Sequence, residues 1–228
     1  KNVKVDVPIV GDAKLVLNSM LKEYNESNYQ INKDDKEDWL NQIREWKNKR
    51  ALPQVKSTKL NPMIVIKKLY KLTKDCDPIV CTEVGQHQMW TAQLFKFNKP
   101  RRLVTSGGLG TMGFGFPAAI GACIGQKDKL VLNIAGDGSI QMNIQELQTL
   151  VTYNMPLKIF VLENEGYLAI KTTQKSFFGG YFTGSNPASG VVCPNLEKIA
   201  NAYGIPYVGI SEEGQVLTNT TYWIVRVV

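Results

Sequence analysis

The chain has 228 residues, of which 43% are hydrophobic and 21% charged, and a formal net charge of +7. This is ordinary globular composition, enough for one well-cored domain plus extra segments, and no apolar run reaches membrane-spanning length. The basic residues are scattered or sit in the mixed-charge stretch Lys33–Arg50, with no basic run interleaved with aromatics, so a solvated surface or mild steering of anionic ligands is expected and nucleic-acid binding is not.

Lys1–Val10 alternates like a strand, and Asp12 caps a predicted helix through Leu15–Leu21. Residues 1–26 read as the tail of a preceding domain, and residues 27–61 as a helix and linker. The helix, Ile31–Arg50, carries Trp39, Ile43 and Trp46 on one face and ends at Leu52-Pro53. Pro62 opens a helix over Met63–Lys74. From residue 77 short apolar strands alternate with helices: Ile79–Glu83, a helix from about Met89, Arg102–Thr105, the helix Ala118–Ile124, Lys129–Ala135, the helix Ile140–Tyr153, and Leu157–Leu162. Uniformly apolar strands separated by helices predict an α/β domain over 62–228, a three-layer parallel sheet with helices on both faces. Residues 171–194 read as a long irregular excursion, followed by the helix Asn195–Tyr203 and the strand Tyr207–Ile210. Tyr222–Val228 looks like a final strand. Ser211–Thr221 is short and poor in helix formers for a crossover, so a change of topology or a missing segment stays open.

In parallel sheets ligands sit beyond the carboxyl ends of the strands. The loops there are 85–88, 106–115, 136–139 and 163–167. Gly136-Asp137-Gly138 and Asn164 end two neighbouring apolar runs, each with an oxygen-bearing side chain beside a glycine. Gly136 and Gly138 would let the backbone bend and a phosphate approach, and the helix near Ile140 would offer its N-terminus. Asp137, Asn164 and the Gly166 carbonyl make half an octahedron, which suits Mg²⁺ shared with a diphosphate. Gly108–Gly113 matches G-x-G-x-x-G, which raises dinucleotide binding, but the nearest acidic residue downstream is Asp137, in a turn better suited to a metal. His87, the only histidine, lies in a strand-end loop. Cys76, Cys81, Cys123 and Cys193 form no C-x-x-C pair. They predict no zinc site and reduced thiols, three of them in apolar surroundings.

Gly136-Asp137-Gly138, followed after a helix by Glu163-Asn164, resembles the signature of thiamin-diphosphate enzymes. Glu83–Trp90 and Thr105–Ala122 are similar to the acetolactate synthase branch, and Lys1–Leu15 resembles the exit from that family's middle domain. The resemblance implies a C-terminal diphosphate-binding domain of an enzyme that decarboxylates a pyruvate-like 2-keto acid and then carboligates it. It assigns Mg²⁺ to Asp137, Asn164 and the Gly166 carbonyl, and the diphosphate to Gly85, Gln86, His87, Gly138 and Ser139. The aminopyrimidine falls to the Gly110 carbonyl and Met112 backbone, with the Met112 side chain as the catalytic wedge that bends the cofactor, and Tyr167 joins the cofactor-binding set. It further implies an activating Glu on an N-terminal pyrimidine domain from a partner subunit, a homodimer or tetramer, a cytoplasmic location, and leaves FAD open in the full-length protein.

The chain departs from the family at Glu163, where Asn is usual. It also departs at Tyr167–Gln174, where acetolactate synthases carry a Gly-Met-Val segment and a Gln-Trp pair. The first keeps Asn164 as the ligand and adds a negative charge nearby; the second favours a related carboligase or decarboxylase. A cofactor-binding module without catalysis of its own is the other expectation.

Overall fold

The structure is a computed structural model and describes residues 4–28, 30, 32–49, 60–97, 99, 102–212 and 223–227. Leu52-Pro53 and the linker up to residue 59 lie outside the described residues, as do Lys1–Val3 and 213–222. Contacts divide the chain into two units, Lys1–Gln54 and Val55–Val228.

In the first unit, α1 (Ala13–Glu26) is capped by Asp12, whose carboxylate accepts the Leu15 N–H at 3.1 Å. In α2 (Lys33–Lys49), Trp39 and Trp46 meet edge to face at 5.5 Å between ring centroids. This is the apolar stripe read from the sequence. The strand expected over Lys1–Val10 is not found among its described residues. Alternation makes a strand only where a neighbour takes up its backbone hydrogen bonds.

In the second unit α3 (Pro62–Thr73) starts behind Asn61, whose side chain accepts the Met63 N–H, and buries Val65, Ile66 and Leu69. Six strands then form one sheet: β1 (Ile79–Thr82), β2 (Leu103–Thr105), β3 (Val131–Gly136), β4 (Leu157–Leu162), β5 (Tyr207–Ile210) and β6 (Trp223–Val227). The order is β2-β1-β3-β4-β6-β5, and every pair is parallel. The last strand inserts between β4 and β5, parallel to both, and the connection that precedes it lies outside the described residues.

Side-chain alternation splits the strands into two faces. Cys81, Val131, Ala135, Leu157 and Ile159 belong to a core shared with Phe116, Leu147, Leu150, Leu196 and Ala200. The alternate set, Val80, Leu132, Ile134, Phe160 and Leu162, is also buried, and α4 (Gln86–Leu94) packs against β1 and β3. Both faces are covered, as a parallel sheet requires. At the amino ends of β1, β2 and β3, Asp77 is bound by Arg102 at 2.8 Å and by Lys99 and Lys129, each at 3.2 Å. Arg102 first, then the two lysines, hold this carboxyl well below the usual range.

Four element boundaries differ from the sequence reading. Helix α4 begins at Gln86, directly after Gly85, and α5 (Gly115–Gly125) begins before Pro117. The helix expected over Ile140–Tyr153 is broken into α6 (Asp137–Ile140), a 3-10 segment over Gln141–Glu146, and α7 (Leu147–Thr152). The break falls at Asn143, at φ −135°, whose amide donates to the Gly113 carbonyl at 2.6 Å. A side chain held by the neighbouring loop has taken its residue out of the helix. The excursion at 171–194 begins with a helix, α8 (Leu168–Phe177), and α9 (Leu196–Ala202) follows the remaining loop. The four thiols are free: Cys81 and Cys123 are buried, Cys193 is half-buried and Cys76 is exposed.

Candidate functional site

A cavity of about 100 Å³ opens beyond the carboxyl ends of β1, β3 and β4. Each strand end delivers its residues by a different local device. After β1, Gly85 takes φ +149° and caps α4. A β-carbon at Gly85 would lie 2.5 Å from the His87 ring, so glycine is needed there for both conformation and space. Gln86 and His87 then enter the cavity wall from the first turn of α4.

After β3, Gly136, Asp137, Gly138 and Ser139 line the floor. Neither glycine is among the positive-φ residues, so the bending role expected for them is corrected. Their role is space: a β-carbon on Gly138 would stand 2.4 Å from the Tyr167 ring, and one on Gly136 would stand 3.1 Å from His87 Nδ1. Helix α6 is only four residues long. The expected helix dipole reduces to the N–H groups of a single turn.

After β4, the chain passes Glu163 and Asn164, takes φ +59° at Glu165 and +117° at Gly166, and enters α8 through Tyr167. Asp137 ties this loop to the β3 end. Its Oδ2 accepts the N–H groups of Asn164 and Gly166, each at 3.1 Å, and its Oδ1 accepts the Gly138 N–H at 2.8 Å. Asp137 is 2% exposed. A carboxylate has about four lone-pair positions. Three are taken by these backbone N–H groups, and the Cys193 thiol also hydrogen-bonds the carboxylate. In the same cavity lining, Asn164 Oδ1 is buried with no hydrogen-bond partner among the described residues. A buried acceptor without a donor calls for a cation or another ligand, and hard oxygen donors of this kind match a hard divalent ion. The described residues contain no cluster of three His, Cys, Asp or Glu side chains.

Of the residues predicted from the sequence, Gly85, Gln86, His87, Met112, Asp137, Gly138, Ser139, Asn164, Gly166 and Tyr167 all border the cavity, and Gly110 does not. Gly110 is at φ +67°, in the loop behind Met112, and a β-carbon there would touch Val84 at 3.0 Å. Several residues escaped the sequence reading. Lys171 donates to the Asn164 carbonyl at 2.7 Å and the Glu165 carbonyl at 3.3 Å, pinning the loop after β4 from the first turn of α8. The Ser185 carbonyl accepts the Tyr167 N–H at 3.0 Å. Helical spacing from Asn164 was the only signal for Lys171, and Ser185 had none. Cys193 lies close enough to hydrogen-bond Asp137. Burial first, then the Asp137 charge, pushes its thiol up to about 11.

Two buried ionisable groups flank the site. Burial lowers His87 to about 4, leaving a neutral imidazole at pH 7. Burial raises Glu83 to about 7, against the opposing effect of the Gly115 and Gly113 N–H groups. The two groups act on stability in opposite directions. The His87 contribution is present above its ordinary value of 6.5 and is lost as pH falls through about 4. The Glu83 contribution is present below its ordinary value of 4.5 and is lost as pH rises through about 7. At 1.36 kcal/mol per pKa unit each is worth about 3 kcal/mol at most, so they nearly cancel between pH 4.5 and 6.5. Glu83→Gln removes one arm. Its unfolding free energy should rise by roughly 2–3 kcal/mol from pH 4.5 to 6.5 relative to the wild-type profile. Urea denaturation at several pH values reads this, and parallel profiles for the two proteins would refute it.

A parallel α/β domain with a cavity at its strand ends, lined by a buried carboxylate and an amide oxygen without a donor, is the class that fold and site define. Residues 83–221 match the family model described as "Thiamine pyrophosphate enzyme, C-terminal TPP binding domain", and the chain belongs to that family. It is 42% identical over 211 residues to the acetolactate synthase isozyme 3 large subunit of Escherichia coli, covering 92% of this chain and 36% of that protein. It is 43% identical over 217 residues to the acetolactate synthase large subunit of Buchnera aphidicola subsp. Acyrthosiphon pisum, covering 93% of this chain and 36% of that protein. Against the Lactococcus lactis large subunit it is 38% identical over 213 residues, covering 91% of this chain and 35% of that protein. The chain thus spans about a third of the length of the curated relatives it matches. Among the described residues no helix is long and apolar enough to cross a membrane.

Proposed function

We propose that this chain holds thiamin diphosphate through Mg²⁺ as the cofactor-binding part of an acetolactate synthase-like enzyme acting on a 2-keto acid. The observation that carries this reading is Asn164 Oδ1, buried and without a donor among the described residues, in the cavity that the buried carboxylate of Asp137 also lines. Asp137, Asn164 and the Gly166 carbonyl would hold the Mg²⁺. Gly85, Gln86, His87, Gly138 and Ser139 would surround the diphosphate. The neutral His87 imidazole offers it an N–H donor rather than a cation. The Gly110 carbonyl and Met112 would meet the aminopyrimidine, with the Met112 side chain setting the bend of the cofactor, and Tyr167 would close the wall over Gly138.

When bound, thiamin diphosphate supplies the electron sink for decarboxylating a 2-keto acid before carboligation. The protein's residues bind and orient it in a site already shaped for it. The cavity is small beside the ~300–1,000 Å³ of ordinary cofactor sites, which supports a composite pocket completed by a pyrimidine-binding domain of a partner subunit. A cytoplasmic homodimer or tetramer fits that arrangement. The absence of Trp from Tyr167–Gln174 favours a related carboligase or decarboxylase over acetolactate synthesis itself.

Calorimetry on this chain should show Mg²⁺-dependent thiamin diphosphate binding that disappears with EDTA. Pyruvate should not be consumed by the chain alone. Binding that ignores Mg²⁺ would overturn the metal assignment, and turnover by the isolated chain would overturn the composite pocket.

A further inference from the structure

Glu83 follows β1 directly and is fully buried on the face of the sheet that carries Cys81. Cys81 pairs in register with Asn133 of β3, which is also fully buried. Neither the Asn133 amide oxygen nor its nitrogen has a hydrogen-bond partner among the described residues, and neither does Glu83 Oε1. The remaining carboxylate oxygen, Oε2, accepts the Gly115 N–H at 2.6 Å, and the Gly113 N–H also points to this carboxyl. A β-carbon added to Gly115 would stand 3.1 Å from Glu83 Oε2, from Asn133 Oδ1 and from the Thr82 carbonyl carbon. Two buried polar side chains therefore converge beneath one turn of the loop after β2.

That turn carries Met112 into the cavity. Its other side is held by Asn143, whose amide donates to the Gly113 carbonyl. Gly113 is at φ +81°, against Met142 and Asn143. A buried polar cluster is costly in an apolar core unless it is satisfied, so its place under the turn that bears Met112 asks for a reason.

We propose that Glu83, with Asn133 beside it, is a positioning residue that holds the Gly113–Gly115 turn from beneath and so sets how far Met112 reaches into the cavity. It touches neither the diphosphate end of the site nor the metal donors, and acts only through the loop. The inference rests on the thiamin diphosphate reading and assigns Glu83 to the ring end of that cofactor. Near neutral pH part of the population carries this carboxyl protonated, a form that glutamine reproduces while keeping the acceptor for Gly115.

The test compares two probes, each with Mg²⁺: thiamin diphosphate, which needs both ends of the site, and inorganic pyrophosphate, which needs only the Asp137–Asn164 end. Glu83→Leu removes the acceptor. Gly115→Ala keeps every hydrogen-bond partner and wedges the turn outward. Each should weaken thiamin diphosphate by about tenfold or more, the scale of a misplaced contact, and leave pyrophosphate within about twofold. Glu83→Gln should retain both affinities. Pyrophosphate binding also reports that each variant is folded, and if Glu83→Leu does not fold, Gly115→Ala carries the comparison. Equal weakening of both probes, or no weakening of thiamin diphosphate, would overturn the positioning role. A wild-type chain that binds neither probe would instead overturn the cofactor reading itself.

Discussion

Asp137→Ala should reduce Mg²⁺-dependent thiamin diphosphate binding by at least about a hundredfold, equivalent to ~2.7 kcal/mol. The carboxylate does two jobs at once. It is the anionic group in the cavity lining, and it accepts three backbone N–H groups that hold the loop after β4 against the end of β3. Alanine removes the anionic donor and also leaves the N–H groups of buried Gly138 and Gly166 unpaired, each at a cost of about 1–3 kcal/mol. Asn is no mild replacement here. Its amide nitrogen would have to face an N–H donor on one side or the metal on the other. Titration calorimetry with Mg²⁺ present and absent reads the effect, and unchanged affinity in Asp137→Ala would remove the metal assignment.

Gly166→Ala should destabilise the folded chain by about 3 kcal/mol or more and abolish cofactor binding with it. At φ +117° a β-carbon is strained whatever the space around it. It would also lie 2.5 Å from the Ser185 carbonyl oxygen, which is backbone and cannot swing aside as a side chain could. Ser185 is held in turn: it is fully buried, its N–H is donated to the Ser189 hydroxyl, and its own hydroxyl donates to Gln174 at 2.7 Å. The strap over 178–190 therefore leans on Gly166. A urea-unfolding midpoint equal to that of wild type would contradict this account.

Much of the fold was legible because each buried strand had to be apolar along most of its length. Ile79–Thr82, Val131–Gly136 and Leu157–Leu162 are such runs, bounded by glycine, proline or polar residues, and a parallel sheet covered on both faces leaves few other readings for them. The helix starts were read less well. Gln86 begins a helix directly after the positive-φ Gly85, and Gly115 begins another ahead of the apolar pattern because the Gly113–Gly115 turn is set by contact with Glu83, distant in sequence. The continuous helix over Ile140–Tyr153 was a fair inference from periodicity. It failed because Asn143 finds its partner in Gly113, thirty residues earlier.

The candidate site divides along the same line. Residue types adjacent in the chain determined that Gly136–Ser139, Asn164 and Gly85–His87 stand at the carboxyl ends of strands, since every parallel strand must end with its connection on that side. Only the tertiary structure decided what each residue is for. It made Gly136 and Gly138 matters of space for His87 and Tyr167, not of backbone bending, and left Asn164 Oδ1 as the acceptor without a donor. It brought Lys171 and Ser185 onto the loop after β4, and placed Glu83 and Asn133 together beneath Met112's turn. The physical reason is range. Propensity and periodicity act between near neighbours, whereas unpaired acceptors and close approaches of backbone to side chain exist only once strands distant in sequence lie ~4.8 Å apart.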